Sequence, residues 1–315
     1  MPRSICTSEV KCYSSSMTAK EAKVPPKKTK NTKPKAAKPA TARANKPEAV
    51  ANKPKPEGKV NGVSNLRMWN IRLAIVLLAE AAAIVIAGSS KTVELTTQYL
   101  SKDVLGSEVA GREVFAAATR HVADLPLAWA VAAALAALAA TYLLAATVWR
   151  KRYEAWLKRG VNVLRWVGLG VAGGAMFTLV AMLSGVSDAS TLTLAFGSVL
   201  LAALLAASVE LIGAGRRLRR FLGVGALAGV FLPWLIFARN GSGVAMYGGD
   251  MSAYLYYTYA TVTLLLVAVS LALYFRVKKR GKWADTLYTE KMFIGLSFIA
   301  VTVLAMQIFA GALQS

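Results

Sequence analysis

The chain has 315 residues, 56% of them hydrophobic, and a formal net charge of +22. That much apolar sequence places it among multi-pass membrane proteins rather than soluble ones. Its only cysteines are Cys6 and Cys12 near the start, and its only histidine, His121, lies in a loop. This excludes a disulfide framework, a cysteine metal site, and a histidine-dependent triad or zinc centre inside the membrane.

Residues 1–65 hold 15 Lys/Arg against 4 Asp/Glu, and eight of the ten prolines. Such a segment buries too little apolar surface to offset its ordering entropy, so a disordered basic tail is expected. It lacks the apolar core of a secretory signal peptide. Met17 is an alternative start that would remove both cysteines. The tail reads as a contact for anionic lipid head groups. Nucleic acid is the weaker reading, because no aromatic residues are interleaved to stack on bases.

Seven apolar stretches follow, each long enough to cross a bilayer: 69–87, 125–149, 161–183, 190–212, 221–237, 251–275 and 292–313. The fifth is short and contains Pro233. Between the first two lies a long segment, 88–124, in which TVELTTQYL (92–100) is rich in β-branched residues and suggests a short strand or ribbon, with a plain loop as the alternative. The expected fold is therefore an all-α seven-helix membrane domain over 66–315 behind a basic tail.

Lys/Arg counts in the short loops set the orientation. The loops after spans two, four and six (RKRYEAWLKRG, GAGRRLRR, RVKKRGKW) carry five, four and five, whereas 238–250 has only Arg239. The N-terminus is expected in the cytoplasm and the C-terminus outside the cell, with 88–124 extracellular.

A set of collinear elements then carries a resemblance. These are Lys151-Arg152-Tyr153, Arg165-Trp166-Val167, Met176, Gly185 through Asp188, Phe196-Gly197, Glu210, Pro233-Trp234, Gly281-Lys282-Trp283 and Gln307-Ile308-Phe309. In order and spacing they resemble the heliorhodopsin family, most clearly from Trp149 onward and more weakly over 66–148. The last stretch, LSFIAVTVLAMQIFAGAL, is similar to the family's final helix. The resemblance implies a rhodopsin-like bundle of inverted topology with β-structure in the first extracellular loop.

The departures are as informative. The family's retinal-binding lysine position is occupied here by Val301, and its counterion glutamate, after Arg-Trp-Val, by Gly168. An unpaired charge in the membrane interior costs at least about 2.5–3.5 kcal/mol, so losing both together leaves a tolerable uncharged interior. The remaining lysines after the tail, Lys91, Lys102, Lys151, Lys158, Lys278, Lys279, Lys282 and Lys291, all lie in loops or at helix mouths. Lys291 precedes Val301 by ten residues, about 15 Å along a helix. No cofactor is therefore expected to be bound covalently.

Among polar residues, Glu80 lies mid-span in span one and is an intramembrane site candidate. Glu210, near the end of span four, is expected to pair with Arg216 or Arg217. Thr141 stands where some relatives have histidine. Gly170 and Gly174 form a GxxxG pair suited to close helix packing. The alternative is a lipophilic pocket lined by Gly168, Met176, Trp234, Ser297, Val301 and Met306.

The resulting reading is a non-enzymatic, metal-free, multi-pass cell-membrane protein that has lost covalent retinal. It would act as a sensor or scaffold, through protein contacts or a non-covalent lipophilic ligand. The alternatives are a small transporter or channel, or a light sensor holding retinal or carotenoid non-covalently. Expected partners are the bilayer, anionic lipid, a second copy of the chain and an unidentified protein.

Overall fold

The computed structural model describes residues 57–212, 215–247 and 251–314, with side chains from 65 onward except those of Arg216 and Ala245. The expectation of a disordered tail over 1–65 lies outside the described residues as far as 56, and its last nine residues are helical. Every apolar stretch folds as a helix, because in lipid only intra-segment hydrogen bonds satisfy the backbone of a single span. Seven helical segments of 20 to 28 residues are long and apolar enough to cross a membrane. Their outward faces carry exposed Leu, Val and Ile such as Leu194 and Leu264, as a lipid-facing surface requires.

The first span lies in α1 (Glu57–Ala87) and the second is α3 (Leu127–Ala146). Between them runs a two-stranded antiparallel hairpin, β1 (Thr92–Asp103) and β2 (Val114–Pro126), joined through a short helix α2 (Val104–Ala110). The segment is thus a two-stranded ribbon rather than a plain loop. A bulge at Leu95/Thr96 bends it, and Thr96 docks on the start of the fourth span: its N–H donates to Ser187 O at 2.8 Å.

After α3 comes α4 (Arg150–Arg159), an amphipathic helix closed by Gly160 at φ 76°. Only glycine adopts this left-handed backbone without strain. Next come α5 (Val163–Leu183), capped by Asn162, and α6 (Ala189–Leu211), capped by Asp188. The fifth span comprises α7 (Arg216–Phe231) and α8 (Trp234–Tyr247), α9 (Ala253–Lys278) is the sixth, and α10 (Thr286–Ile308) with a π-helical turn to Leu313 is the seventh.

The fifth span differs from the sequence expectation. It runs from Arg217 to Val244 rather than ending at 237, and the expected loop 238–250 is helical as far as Tyr247. Pro233 interrupts the ladder, but turn bonds from Leu235 N to Leu232 O and Ile236 N to Pro233 O carry the chain through. The proline therefore interrupts the ladder without terminating the span.

In the bundle α1 packs on α3, α3 on α5, α5 on α6 and α6 on α7, with α10 set against α1, α3, α5 and α9. The α5–α6 seam is held by glycines. A Cβ at Gly170 would come within 2.8 Å of Ala203 Cβ, and one at Gly174 within 3.0 Å of the Phe196 ring. Small residues let the two backbones approach in a medium that supplies no hydrophobic drive between helices. Ser89 N donates to Leu313 O, so the hairpin and the end of α10 share one end of the bundle, with the basic ends of α4 and α9 at the other.

Candidate functional site

The polar centre of the bundle is built on Arg165, one turn into α5. Asn162 Oδ1 caps that turn by accepting from Arg165 N. The guanidinium then reaches two carboxylates on other helices. Nη2 donates to both oxygens of Glu210 on α6, at 2.6 and 2.8 Å, and Nη1 donates to Glu290 Oε2 on α10. All three side chains are almost fully buried. Asn162 Nδ2 and the Tyr153 hydroxyl also donate to Glu290 Oε1, the latter at 3.1 Å. The Arg165 head lies 4.4 Å from the Phe293 ring centroid and 5.3 Å from that of Trp166. One cation thus faces two carboxylates, and the neutral donors Asn162 and Tyr153 share the remaining charge. Burial and the Glu290 carboxylate beside it push the Tyr153 phenol above its ordinary range, which keeps it a donor.

This arrangement corrects one expectation. Glu210 pairs with Arg165 and makes no ion pair with Arg217; the Arg216 side chain lies outside the described residues. The α6 helix ends at Leu211, whereas Arg165 lies directly across the glycine-packed seam from it. Glu290 was missed because the apolar run was read from Met292. Its spacing could have shown it: Glu290, Phe293, Ile294, Ser297 and Val301 fall on one helical face, and all are buried.

A small polar cavity of about 20 Å³ adjoins the cluster, bordered by Asn70, Thr141, Tyr142, Ser297 and Glu290 among others. It has room for about one water molecule. Asn70 Nδ2 on its wall is buried without a protein partner, so a water there would have a donor to accept from. Ser297, expected in an apolar pocket, belongs to this polar one.

Gly168 lies against α3. A Cβ there would meet Thr141 Oγ1 at 2.5 Å and Thr141 Cβ at 2.9 Å, and the threonine is anchored by its bond to Leu138 O. Thr141 therefore fills the space beside Gly168. Val301 is 1% exposed and, like Met176, part of the apolar core. Trp234 packs on that core and donates through Nε1 to Thr263 Oγ1. Met306 points outward, 40% exposed, and lines no interior pocket.

The larger interior space lies elsewhere. A cavity of about 120 Å³ opens between α5, α6, α7, α9 and α10, with Trp166, Gly173, Phe177, Val262, Leu266 and Ala300 on its wall. None of the six residues expected to line a lipophilic pocket borders it. Their sequence positions sit one helical face away: Ala300 and Leu304 face the cavity while Val301 turns into the core. Its only polar side-chain atoms come from Ser270, which bonds Leu266 O, and Trp166, whose Nε1 is buried without a partner.

Glu80 is half-buried and accepts from Thr302 Oγ1 at 3.0 Å, which ties α1 to α10. It borders neither interior cavity. Among the described residues no group of three or more His, Cys, Asp or Glu is placed to hold a metal ion.

Comparison with known proteins agrees with this architecture. The heliorhodopsin family model matches residues 66–313, nearly the whole membrane domain. Comparison with curated proteins gives no match. With that match and its seven spans, the chain is a multi-pass membrane protein that belongs to the heliorhodopsin family.

Proposed function

We propose that the chain is a non-photochemical heliorhodopsin, a sensor or scaffold that holds a lipophilic molecule without a covalent bond. The observation that carries this is the side-chain set of the interior. Val301 stands in the core where the family has its lysine, and no lysine borders the 120 Å³ cavity. Retinal is the family's cofactor, and its aldehyde needs a nearby amine to form a Schiff base. The residues present do not fit that bond. They also do not fit its counterion, since Thr141 occupies the space at Gly168. What they do fit is a slender apolar molecule with one hydrogen-bond acceptor, such as a retinoid or carotenoid end group, for which Trp166 Nε1 is an available donor.

The reading is non-enzymatic. It sets the N-terminus and the basic ends of α4 and α9 on the cytoplasmic side, following the Lys/Arg distribution. In this reading the basic sequence ahead of α1 touches anionic lipid, and a second copy or another protein receives the signal. A transporter or channel would rest on Glu80 alone, and its bond to Thr302 favours a helix-linking role.

The test is titration of purified protein with all-trans retinal, read by quenching of tryptophan emission and by absorbance. Gly173→Leu is the informative variant, because nothing lies within 4 Å of a Cβ there and the side chain would fill the cavity. Saturable quenching in the parent, lost in Gly173→Leu, with nothing trapped by borohydride, is the expected result. A pigment that borohydride fixes to the protein overturns the reading, and so does an absence of binding.

A further inference from the structure

A separate recess of about 350 Å³ opens at the basic end of the bundle, where α4, α6, α7, α9 and α10 converge. Lys158, Arg159, Arg219, Arg276 and Lys279 all border it, against the single carboxylate of Glu210. That carboxylate is already engaged, with both oxygens accepting from Arg165. Arg276 is a fixed part of the wall: it donates to Gly160 O at 2.8 Å and to Trp283 O at 3.2 Å. Lys158, Arg159, Arg219 and Lys279 make no salt bridge among the described residues, and Arg219 Nε is buried without an acceptor.

The charge balance favours an anion. The last turns of α4, α6 and α9 border the recess, and their C-termini together contribute only about one and a half negative elementary charges. Five cations exceed that several-fold. None of the five makes a salt bridge among the described residues, in a concave site where the field is stronger than on open surface. Guanidinium forks and ammonium groups together suit a tetrahedral oxyanion, which accepts several charge-assisted hydrogen bonds at once.

We propose that this recess is a binding site for a phosphate group, carried either by an anionic lipid head group or by a soluble phosphate. The site is independent of the apolar cavity and of any chromophore.

The experiment uses the full chain in detergent. Sodium pyrophosphate is titrated at constant ionic strength against chloride and followed by calorimetry. Native mass spectrometry then follows retention of phosphatidylglycerol over phosphatidylcholine. The test variant is Lys158→Gln with Arg219→Gln. The control is Lys151→Gln with Lys278→Gln, the same charge change at residues that do not line the recess, with the basic tail present throughout. Removing two charge-assisted contacts should weaken binding at least about tenfold in the test variant and leave the control unchanged. Pyrophosphate binding that phosphatidylglycerol does not displace identifies a soluble phosphate. Selective retention of phosphatidylglycerol that competes with pyrophosphate identifies a lipid head group. Should the double variant not fold, Lys158→Glu on an exposed side chain replaces it. Equal binding in test and control, or no binding of either probe to the parent, overturns the proposal.

Discussion

Arg165 and Glu210 face each other across the α5–α6 seam as a two-pronged ion pair, Nη2 lying 2.6 and 2.8 Å from the two carboxylate oxygens. The same guanidinium neutralises Glu290, so its removal strands two buried carboxylates at once. Breaking a buried pair from one side typically costs about 3–5 kcal/mol, while replacing every member with neutral groups is often harmless. Arg165→Met should therefore lower the thermal unfolding midpoint sharply. Adding Glu210→Met and Glu290→Gln should restore most of the loss. A single variant as stable as the parent would show that the triad is not a structural clamp.

The second prediction concerns Gly168 and Thr141. The added carbon of Gly168→Ala would lie 2.5 Å from Thr141 Oγ1, which its hydrogen bond holds in place. Overpacking of this kind costs about 1–3 kcal/mol. Thr141→Ala does not relieve it, because Thr141 Cβ itself lies 2.9 Å from the new carbon, but Thr141→Gly does. A double-mutant cycle should thus show Gly168→Ala and Thr141→Gly to be coupled by at least about 0.5 kcal/mol. Reinstating the family's charges with Val301→Lys and Gly168→Glu should yield a retinal pigment only when Thr141→Gly accompanies them. Pigment formation without that third change would mean the contact yields easily.

These two sites show where sequence reading reaches its limit. The seven spans were legible because apolar length is a local property, and the hairpin was partly so because TVELTTQYL is β-branched and alternating. The fifth span reads short because the polar and glycine-bearing run after Phe237 has the composition of a loop, yet it continues the helix to Tyr247. Arg165 and Glu210 are 45 residues apart, and Arg165 and Glu290 are 125 apart. No local pattern pairs them until α5, α6 and α10 are assembled. Gly168 was legible as a departure from the family, but not the threonine that fills its place. The apolar cavity was legible as a concept and misplaced in residues, because one step along α10 separates a core-facing Val301 from a cavity-facing Ala300.

Glu80 and Thr302 offer a third test, of structure against conduction. A glutamine keeps an oxygen to accept from Thr302 Oγ1, now 3.0 Å from the carboxylate, and removes the charge. Glu80→Gln should leave the unfolding midpoint close to the parent's, and Glu80→Leu should lose about 1 kcal/mol. Proteoliposomes carrying either the parent or Glu80→Gln should show the same baseline ion leak. A parent flux that Glu80→Gln abolishes would restore the channel reading.

The fourth prediction follows from Asp188 at the start of α6. Its carboxylate accepts from Thr191 Oγ1 at 2.7 Å and Thr191 N at 2.8 Å, which satisfies one of the helix's unpaired amides. Those hydrogen bonds hold its pKa below the ordinary carboxylate value. The sign is that of a depressed acid: the stabilisation is fully present above the unfolded-state value near 3.9 and is lost as pH falls through the lower folded-state value. Asp188→Ala should cost about 1 kcal/mol at neutral pH, within a range of about 0.5–2. Its unfolding midpoint should also fall less steeply than the parent's below about pH 4, since the variant has no such proton to take up. Asp188 bridges to Thr96 of the hairpin, so the variant should speed amide exchange in β1 near Thr96 as well. Identical acid limbs in parent and variant would show that the cap contributes nothing to stability, and unchanged exchange at Thr96 would separate hairpin docking from it.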